Sequence, residues 1–309
     1  SRRPPSMGRA PLVLWLLGIL TGYAHPARNV LWKVVNFLRG RVNMKFTKHQ
    51  LRDHTSYVYS VAFHPRLPLF ATGSADKTVI IYDLSTVPPT ATHHLHQHAG
   101  AVISLCFHPE LPIVVTGSDK SVTITDLATS PPTVTSLKDH ACPVAFHLAF
   151  PLLVTGSCGN AATLYNTSRT PWTKSNNLRG SISHVYFFAF HPTLPVFATC
   201  SRNRLLTIYD MSTVPPTVKY QLKQHNSWVH YAVFDPKHPI LAVSLCDKTV
   251  RIYDMSNPFV LTQRYHPNPD TVFRHIAFHP KLLLFTTVTA NNTIRLYDTS
   301  TSPWIQLRH

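Results

Sequence analysis

The chain alternates short apolar runs with polar turns, and the clearest example lies between residues 57 and 97. Its four segments are YVYSVAF, LFATGS, TVIIYDL and ATHHLHQ. A His-Pro turn, a turn at Ala75-Asp76 and a break at Pro88-Pro89 separate them. Runs of this length that are rich in β-branched and aromatic residues and bounded by turn residues are typical of β-strands. This stretch therefore predicts four consecutive strands.

A unit of the same kind recurs to the end of the chain. An aromatic-His-Pro sequence or a variant of it repeats at intervals of 44, 42, 41, 44 and 44 residues, with prolines at Pro65, Pro109, Pro151, Pro192, Pro236 and Pro280. A second marker closes the units at Tyr82-Asp83, Thr125-Asp126, Tyr165-Asn166, Tyr209-Asp210, Tyr253-Asp254 and Tyr297-Asp298. Periods of roughly 40–45 residues with four strands each are typical of propeller blades. The sequence thus predicts an all-β fold with six four-stranded blades between Leu51 and His309.

The order of these markers resembles the WD-repeat β-propeller family over about five-sixths of the chain. That family has a His before the first strand, Ser or Thr on the second, Asp in the following turn and Trp-Asp at the end of the third. The resemblance implies a hydrogen-bonded network in each blade that serves folding rather than chemistry. Its expected members are His54, Thr72, Asp76 and Tyr82 in the first unit, His98 and Asp119 in the second, His140, Thr155 and Tyr165 in the third, and His225, Asp247 and Tyr253 in the fifth.

Some units depart from the family pattern. Tyr replaces the closing Trp in five units, and Thr125 replaces it in the second. Gly180 stands where the fourth unit should have its His, and Asn203 stands where that unit should have its Asp. Because a network that lacks members holds its strands less tightly, we expect the fourth blade to be the weaker one.

Closure of the ring is open at this point. MKFTKHQLR precedes the first unit as a surplus outer strand, and in the resembling family such a strand closes the ring against the last blade. If SPWIQLRH fills the outer position of the sixth blade, MKFTKHQLR must belong to a seventh, degenerate blade built from the N-terminal segment. Otherwise the ring has six blades and one of the two strands is displaced.

The charge is concentrated at the N-terminus. Lys and Arg number 29 against 13 acids, a formal net charge of +16, and residues 1–52 contain ten of these cations and no acid. We divide the chain into a basic, apolar extension, residues 1–43, and a propeller, residues 44–309. The extension fits a degenerate blade, a targeting sequence, or an arm that contacts a partner or RNA. As an arm its contacts would be Arg2, Arg3, Arg9, Arg28, Lys33, Arg39, Arg41, Lys45, Lys48 and Arg52.

The remaining features bear on location. The apolar run from Leu12 to Leu20 is shorter than the roughly 20 residues that a membrane span needs, so we do not expect a membrane partner. Five cysteines without a C-x-x-C pair favour buried thiols in a reducing compartment over a disulfide framework. We therefore predict an intracellular, cytoplasmic protein, with the mitochondrion as the alternative.

Candidate catalytic and metal-binding residues are scarce. Nearly every Asp has a place in the repeat, which leaves Asp270 and Glu110, 160 residues apart, as a poor general acid and base pair. His64, His108, His191 and His279 are one repeated position, and such residues lie on a ring rather than around one ion. The dense cluster His93, His94, His96 and His98 would place three histidines on one face of a strand, but we interpret it as an exposed edge strand. We predict no enzyme activity, no metal and no cofactor.

These observations favour a non-enzymatic protein–protein interaction scaffold that is a subunit of a larger assembly. The alternative is a ribonucleoprotein component, ribosomal or mitoribosomal, that contacts RNA through the basic residues 1–52.

Overall fold

The computed structural model describes most of the repeat region. The described residues are 51–137, 143–147, 150–156, 162–169, 171–178, 184–213, 216–223, 225–256, 260–265, 273–278, 282–289, 294–301 and 304–306. The predicted extension, its basic contacts from Arg2 to Lys48 and the seventh blade lie outside these residues. They stay predictions.

The described residues form six antiparallel sheets of four strands, which confirms the six predicted blades. The first three blades contain β1 (Val58–Phe63), β2 (Leu69–Ser74), β3 (Val79–Asp83), β4 (Thr90–Leu95), β5 (Val102–Phe107), β6 (Ile113–Ser118), β7 (Val122–Asp126), β8 (Thr133–Leu137), β9 (Val144–Phe146), β10 (Leu152–Thr155), β11 (Thr163–Asn166) and β12 (Thr173–Asn177). The last three contain β13 (Val185–Phe190), β14 (Val196–Ser201), β15 (Leu206–Asp210), β16 (Thr217–Leu222), β17 (Val229–Phe234), β18 (Ile240–Leu245), β19 (Val250–Asp254), β20 (Val260–Tyr265), β21 (Phe273–Phe278), β22 (Leu284–Thr289), β23 (Ile294–Asp298) and β24 (Ile305–Gln306). The described part of the chain contains no helix, as the repeat period requires.

Burial decreases from the second strand of a blade to the fourth. All six residues of β6 and of β14 are buried, whereas β8 and β16 are largely exposed. A strand that packs between two neighbouring sheets is apolar on both faces, and an outer strand meets water. This explains why the second strands begin with consecutive apolar residues instead of alternating apolar and polar residues.

Neighbouring blades share apolar cores. In one of them, Ala71, Val79 and Ile81 of the first blade pack with Val102 and Leu105 of the second. Equivalent clusters join the second blade to the third, the third to the fourth, the fourth to the fifth and the fifth to the sixth. From the first blade to the sixth, facing sheets thus bury each other by stacking, as expected for a repeat fold.

The other face of the first blade forms a cluster of its own. Phe70, Ile80 and Tyr82 are buried there, with Val61 and Phe63 packed against them. Among the described residues, this cluster includes no side chain of the sixth blade. The sixth blade also has its own outer strand, since Asp298 pairs with Ile305. The seventh-blade interpretation requires that the sixth blade has its own outer strand. The residues of that seventh blade lie outside the described part of the chain.

The two ends of the blades form two faces. We call the turn face the segments that join the second strand to the third and the fourth to the next blade, such as residues 75–78 and 96–101. We call the loop face the segments that join the first strand to the second and the third to the fourth, such as residues 64–68 and 84–89, together with the residue that ends each third strand. Backbone hydrogen bonds within a face, such as Leu84 N to Pro68 O at 2.7 Å, hold these segments together.

The loop face corrects one sequence marker. Pro151 accepts a backbone hydrogen bond from Thr167, as Pro68 does from Leu84, so Pro151 is equivalent to Pro68 and not to Pro65. His147 therefore occupies the position of His64, a position that sequence analysis assigned to four other histidines. The sequence marker selected the wrong proline in this unit because Leu148 stands where Pro65, Pro109 and Pro192 follow their histidines.

Candidate functional site

The predicted network of the first blade is assembled around His54. Its Nδ1 donates to Asp76 Oδ2 at 2.9 Å, and its Nε2 lies 2.7 Å from Thr72 Oγ1. Tyr82 donates from its hydroxyl to Asp53 Oδ2 at 2.9 Å, with Thr72 beside it. The structure thus brings the four expected residues together and adds Asp53, which the sequence pattern did not assign to the network.

Electrostatics fixes the charge of Asp76. Burial acts to raise the pKa of this carboxyl, but hydrogen bonds from Thr78, His54 and the Thr55 amide outweigh it and hold the pKa well below its usual range. The carboxylate is therefore ionised at neutral pH. Burial and the nearby Asp53 carboxylate raise the pKa of Tyr82, so this phenol stays protonated and remains a donor.

The second blade lacks the closing aromatic residue and has a different pair of side chains at the corresponding positions. Gln97 donates from Nε2 to Thr123 and Thr125, both at 2.9 Å, and accepts from Thr125 Oγ1 at 3.1 Å. Gln97 occupies the position of Asp53, and Thr125 that of Tyr82. The longer amide side chain therefore reaches the shorter hydroxyl, and the link between the same two positions is kept.

Asp119 does not join the network of its blade, contrary to expectation. His98 Nε2 lies 2.7 Å from Thr116 Oγ1, and its Nδ1 lies 3.2 Å from Ser121 Oγ. The turn of this blade is one residue shorter than the turn at Asp76. As a result, the exposed Asp119 carboxylate lies against Gly100, where a Cβ would overlap with it.

The fifth blade also departs from the expected contacts. His225 Nε2 lies 2.9 Å from the Tyr253 hydroxyl, and its Nδ1 lies 3.2 Å from the Arg204 carbonyl. Val243 occupies the position of Thr72 and offers no hydroxyl. Asp247 instead accepts from the Thr249 amide and hydroxyl and lies 3.7 Å from Arg251. The Tyr253 hydroxyl thus takes the place of the missing threonine, and the Arg204 carbonyl takes the place of Asp247.

The third and fourth blades are described only in part. His140 lies outside the described residues, while Thr155 and Tyr165 are buried on the second and third strands of the third blade. In the fourth blade the hydroxyls of Thr199 and Thr207 are buried without a hydrogen-bond partner among the described residues. Buried hydroxyls without such a partner also occur in other blades, at Thr155, Ser244 and Thr287, so the weaker fourth blade stays a prediction.

The histidine cluster does not form a metal site. Strand β4 ends at Leu95, so the two-residue alternation does not continue to His98. His94 and His96 are exposed, whereas His98 is buried in the network of the second blade. No group of three or more His, Cys, Asp or Glu side chains among the described residues is placed to hold a metal ion.

Other candidate chemical groups are engaged or buried. Glu110 pairs with Arg66 at 3.0 Å, while Asp270 lies outside the described residues. Cys106, Cys200 and Cys246 are free thiols, and burial raises the pKa of each. We find no helical segment in the described part of the chain with the length and hydrophobicity that a membrane crossing requires.

Irregularities in the first strands shape the turn face. A β-bulge interrupts the pairing of β1, β5, β13, β17 and β21 at the same place. The extra residues in four of these strands are Tyr59, Ile103, Tyr186 and His230. A bulge redirects a side chain and is common next to functional sites.

An aromatic and cationic patch lies beside two of these bulges. The Arg202 guanidinium stands 4.7 Å from the centre of the Trp228 ring. Tyr186 lies 6.2 Å from Trp228 and 6.3 Å from His230, between ring centroids. Trp228 is 40% exposed and Tyr186 is 37% exposed. Sequence reasoning missed this patch because residues from two blades form it.

Comparison with known proteins supports the fold. The family description "WD domain, G-beta repeat" matches residues 45–83, 89–126, 172–210 and 216–254, which together make up half of the chain. Comparison with the curated proteins gives no match. Among solved structures, Sqt1 of Saccharomyces cerevisiae is similar, with a TM-score of 0.71 and 16% identity over 84% of this chain and 75% of Sqt1. At that identity the likeness shows the fold alone. With four matched repeats and six four-stranded blades, the chain belongs to the WD-repeat β-propeller family.

Proposed function

We propose that this protein is a non-enzymatic scaffold for protein–protein interactions and a subunit of a larger assembly. Domains of the WD-repeat family generally mediate such interactions. The observation that carries the proposal is the patch of Tyr186, Arg202 and Trp228 on the turn face. Exposed Trp, Tyr and Arg side chains that cluster in this way are the residue types that dominate binding energy at protein interfaces.

The charge of the patch favours an acidic partner surface. The turn of the fourth blade reads Arg202-Asn203-Arg204, whereas the corresponding turns of the first and fifth blades contain Asp76 and Asp247. Arg202 and Arg204 are both exposed. This turn therefore presents two cations and no acid, whereas the corresponding turns combine an acid with a cation. Because complementary charge steers binding, an acidic partner surface fits this patch.

A tryptophan variant tests the proposal. Tagged full-length protein, Trp228→Ala and the matched control Val218→Ala, which alters an exposed residue of the outer strand β16, are purified from the source cells with and without RNase. We expect Trp228→Ala to reduce the recovery of specific partner proteins by about 30-fold, the loss typical of a central interface tryptophan. Val218→Ala and RNase should leave recovery unchanged.

Two results would overturn the proposal. Equal recovery from all three proteins would show that the patch does not hold the partner. Loss of the partners on RNase treatment alone would favour the ribonucleoprotein alternative, whose expected contacts in residues 1–52 lie almost entirely outside the described residues.

A further inference from the structure

The loop face carries a ring of exposed apolar residues at one repeated position. We call the histidine at the position of His64 the capping His. In five blades the third residue after it is apolar and between 37% and 49% exposed: Leu67, Leu111, Phe150, Leu194 and Leu282. The fifth blade has His238 at the same position. Isolated exposed leucines need no explanation, but an apolar set that recurs on one face marks an interaction surface.

Four members of this ring are held in place by their loops. The amide of Leu67 donates to His64 Nδ1 at 3.0 Å, and the amide of Leu111 donates to His108 Nδ1 at 3.1 Å. Phe150 and Leu194 make the same bond to His147 and His191, at 3.1 and 3.0 Å. A residue whose backbone is fixed in this way loses little entropy when a partner binds its side chain.

The ring is continuous over the first four blades. His64 Nε2 lies 2.9 Å from the Leu111 carbonyl, so Leu67 and Leu111 flank one imidazole. Each capping ring also packs on a Phe of the next blade, with centroid distances between 5.0 and 5.3 Å: His64 on Phe107, His108 on Phe146, His147 on Phe190 and His191 on Phe234. The apolar side chains therefore belong to one surface and not to separate loops.

Carboxylates accompany the apolar ring. The third strands end on this face in half-buried acids, at Asp83, Asp126, Asp210, Asp254 and Asp298. Each accepts a backbone hydrogen bond on Oδ1 from the residue two positions later, at 2.7 to 2.9 Å. In the third blade Asn166 does the same with the Ser168 amide at 2.9 Å. The turn thus needs the side-chain oxygen but not its charge.

Two cations of this face pair with acids. Arg66 pairs with Glu110 at 3.0 Å, and Lys219 of β16 lies 3.6 Å from Asp210. Among the described loop residues of this face, the other cations are Arg169 and Lys237. Among the described residues of the loop face the acids outnumber the cations. This part of the face is therefore apolar and acidic, although the whole chain has a net charge of +16.

From this pairing of an apolar ring with carboxylates, we propose that the loop face binds a basic amphipathic segment of a partner protein. Leucines or aromatic residues of that segment pack on the ring, and its lysines or arginines meet the Asp carboxylates. The inference rests on the proposed scaffold function, but it concerns the face opposite the Trp228 patch.

The test uses the full-length chain and a designed 18-residue peptide of Leu and Lys with an amphipathic helical pattern. A peptide of the same composition without the pattern serves as the control ligand. The net charge of the protein repels both peptides, so tight binding of the patterned peptide alone requires a local acidic and apolar surface. We expect the patterned peptide to bind at least tenfold more tightly than the control peptide in a fluorescence anisotropy titration.

The chain supplies its own variants. Leu111→His with Leu194→His copies the fifth blade, and Asp83→Asn with Asp126→Asn and Asp254→Asn copies the third blade, so both sets should fold. We expect each set to weaken binding of the patterned peptide about tenfold, while Val134→His with Val218→His on the outer strands leaves it unchanged. Trp228→Ala should also leave it unchanged, which separates failure of this inference from failure of the proposed function.

Three results would overturn the inference. The first is equal binding of the two peptides to the wild type. The second is equal binding of the patterned peptide to the wild type, the leucine variant and the aspartate variant. The third is that the outer-strand control weakens this binding as much as those variants do. A cross-linking experiment with a photoreactive amino acid at position 111 tests what occupies the face. An efficient cross-link to residues 1–43 of the same chain would show that the chain's own extension, and not a partner protein, occupies it.

Discussion

His64 Nε2 donates a hydrogen bond to the carbonyl of Leu111, 2.9 Å away in the next blade. The other ring nitrogen accepts from the amides of Arg66 and Leu67, at 3.1 and 3.0 Å. An amide can only donate, so Nδ1 must be unprotonated and the imidazole must be neutral. One side chain thus closes its own loop and ties it to the neighbouring blade, and this arrangement works only without a positive charge.

The first prediction is a loss of stability in mild acid. Burial lowers the pKa of His64, His108, His147 and His191, and it lowers the pKa of His98 and His225 to about 4. Below the unfolded pKa of about 6.5 the unfolded chain binds more protons than the folded chain, so stability falls as the pH decreases. The contribution of these histidines is complete above pH 6.5 and is lost toward pH 4.

Urea unfolding at intervals between pH 7.5 and pH 4 measures this dependence. We expect the midpoint to decrease steadily below pH 6.5. His191→Asp copies the fifth blade, where Asp235 Oδ1 accepts from the amides of Lys237 and His238 at 2.7 and 3.1 Å. This variant should show a shallower decrease, and a midpoint that does not change between pH 7 and pH 5 in the wild type would contradict the assignment.

The second prediction compares two aspartates that occupy the same place in the sequence pattern. Asp76 accepts from His54, Thr55 and Thr78, whereas the exposed Asp119 lies outside the network of its blade. Asp76→Ala leaves several donors unsatisfied and should reduce the free energy of unfolding by about 1–3 kcal/mol. Asp119→Ala should change it by less than about 0.5 kcal/mol. Equal effects in chemical denaturation would show that the network does not distinguish them.

The third prediction concerns the substitute link in the second blade. Gln97→Ala leaves Thr123 and Thr125 without their amide partner and should destabilise the fold by about 1–2 kcal/mol. In a double-mutant cycle with Thr125→Val, the two substitutions should be non-additive, with a coupling free energy of about 0.5–1.5 kcal/mol. Additive effects in thermal or urea unfolding would mean that the two side chains do not act together.

The fourth prediction concerns residues 1–40, all of which lie outside the described residues. If the basic extension is a docking element, its deletion should leave the blades folded and release the protein from its native assembly, which gel filtration and circular dichroism can follow. Normal assembly of the truncated protein would contradict the docking role. Failure to fold would also contradict it and would favour the seventh blade, because the buried face of Phe70 and Tyr82 would then lose its cover.

Local sequence patterns were enough to predict the repeat, the strand order and the strand positions. These follow from local patterns, since each unit of apolar runs and turns specifies its own four strands before any blade packs on another. The sequence also assigned the members of the first network correctly by position, because His54, Thr72, Asp76 and Tyr82 stand on elements whose register the turns fix.

Which side chains meet depends on the packing of the folded chain. Gln97 reaches Thr125, and Tyr253 reaches His225, because side-chain length and the gap left by a missing hydroxyl select the partner, and neither is visible as a spacing. The tertiary structure also placed His147 in the position of His64 by its backbone bonds. The two faces arise in the same way. Arg202 meets Trp228, and Leu67 and Leu111 meet at the His64 imidazole, only after neighbouring blades stack and bring distant residues together.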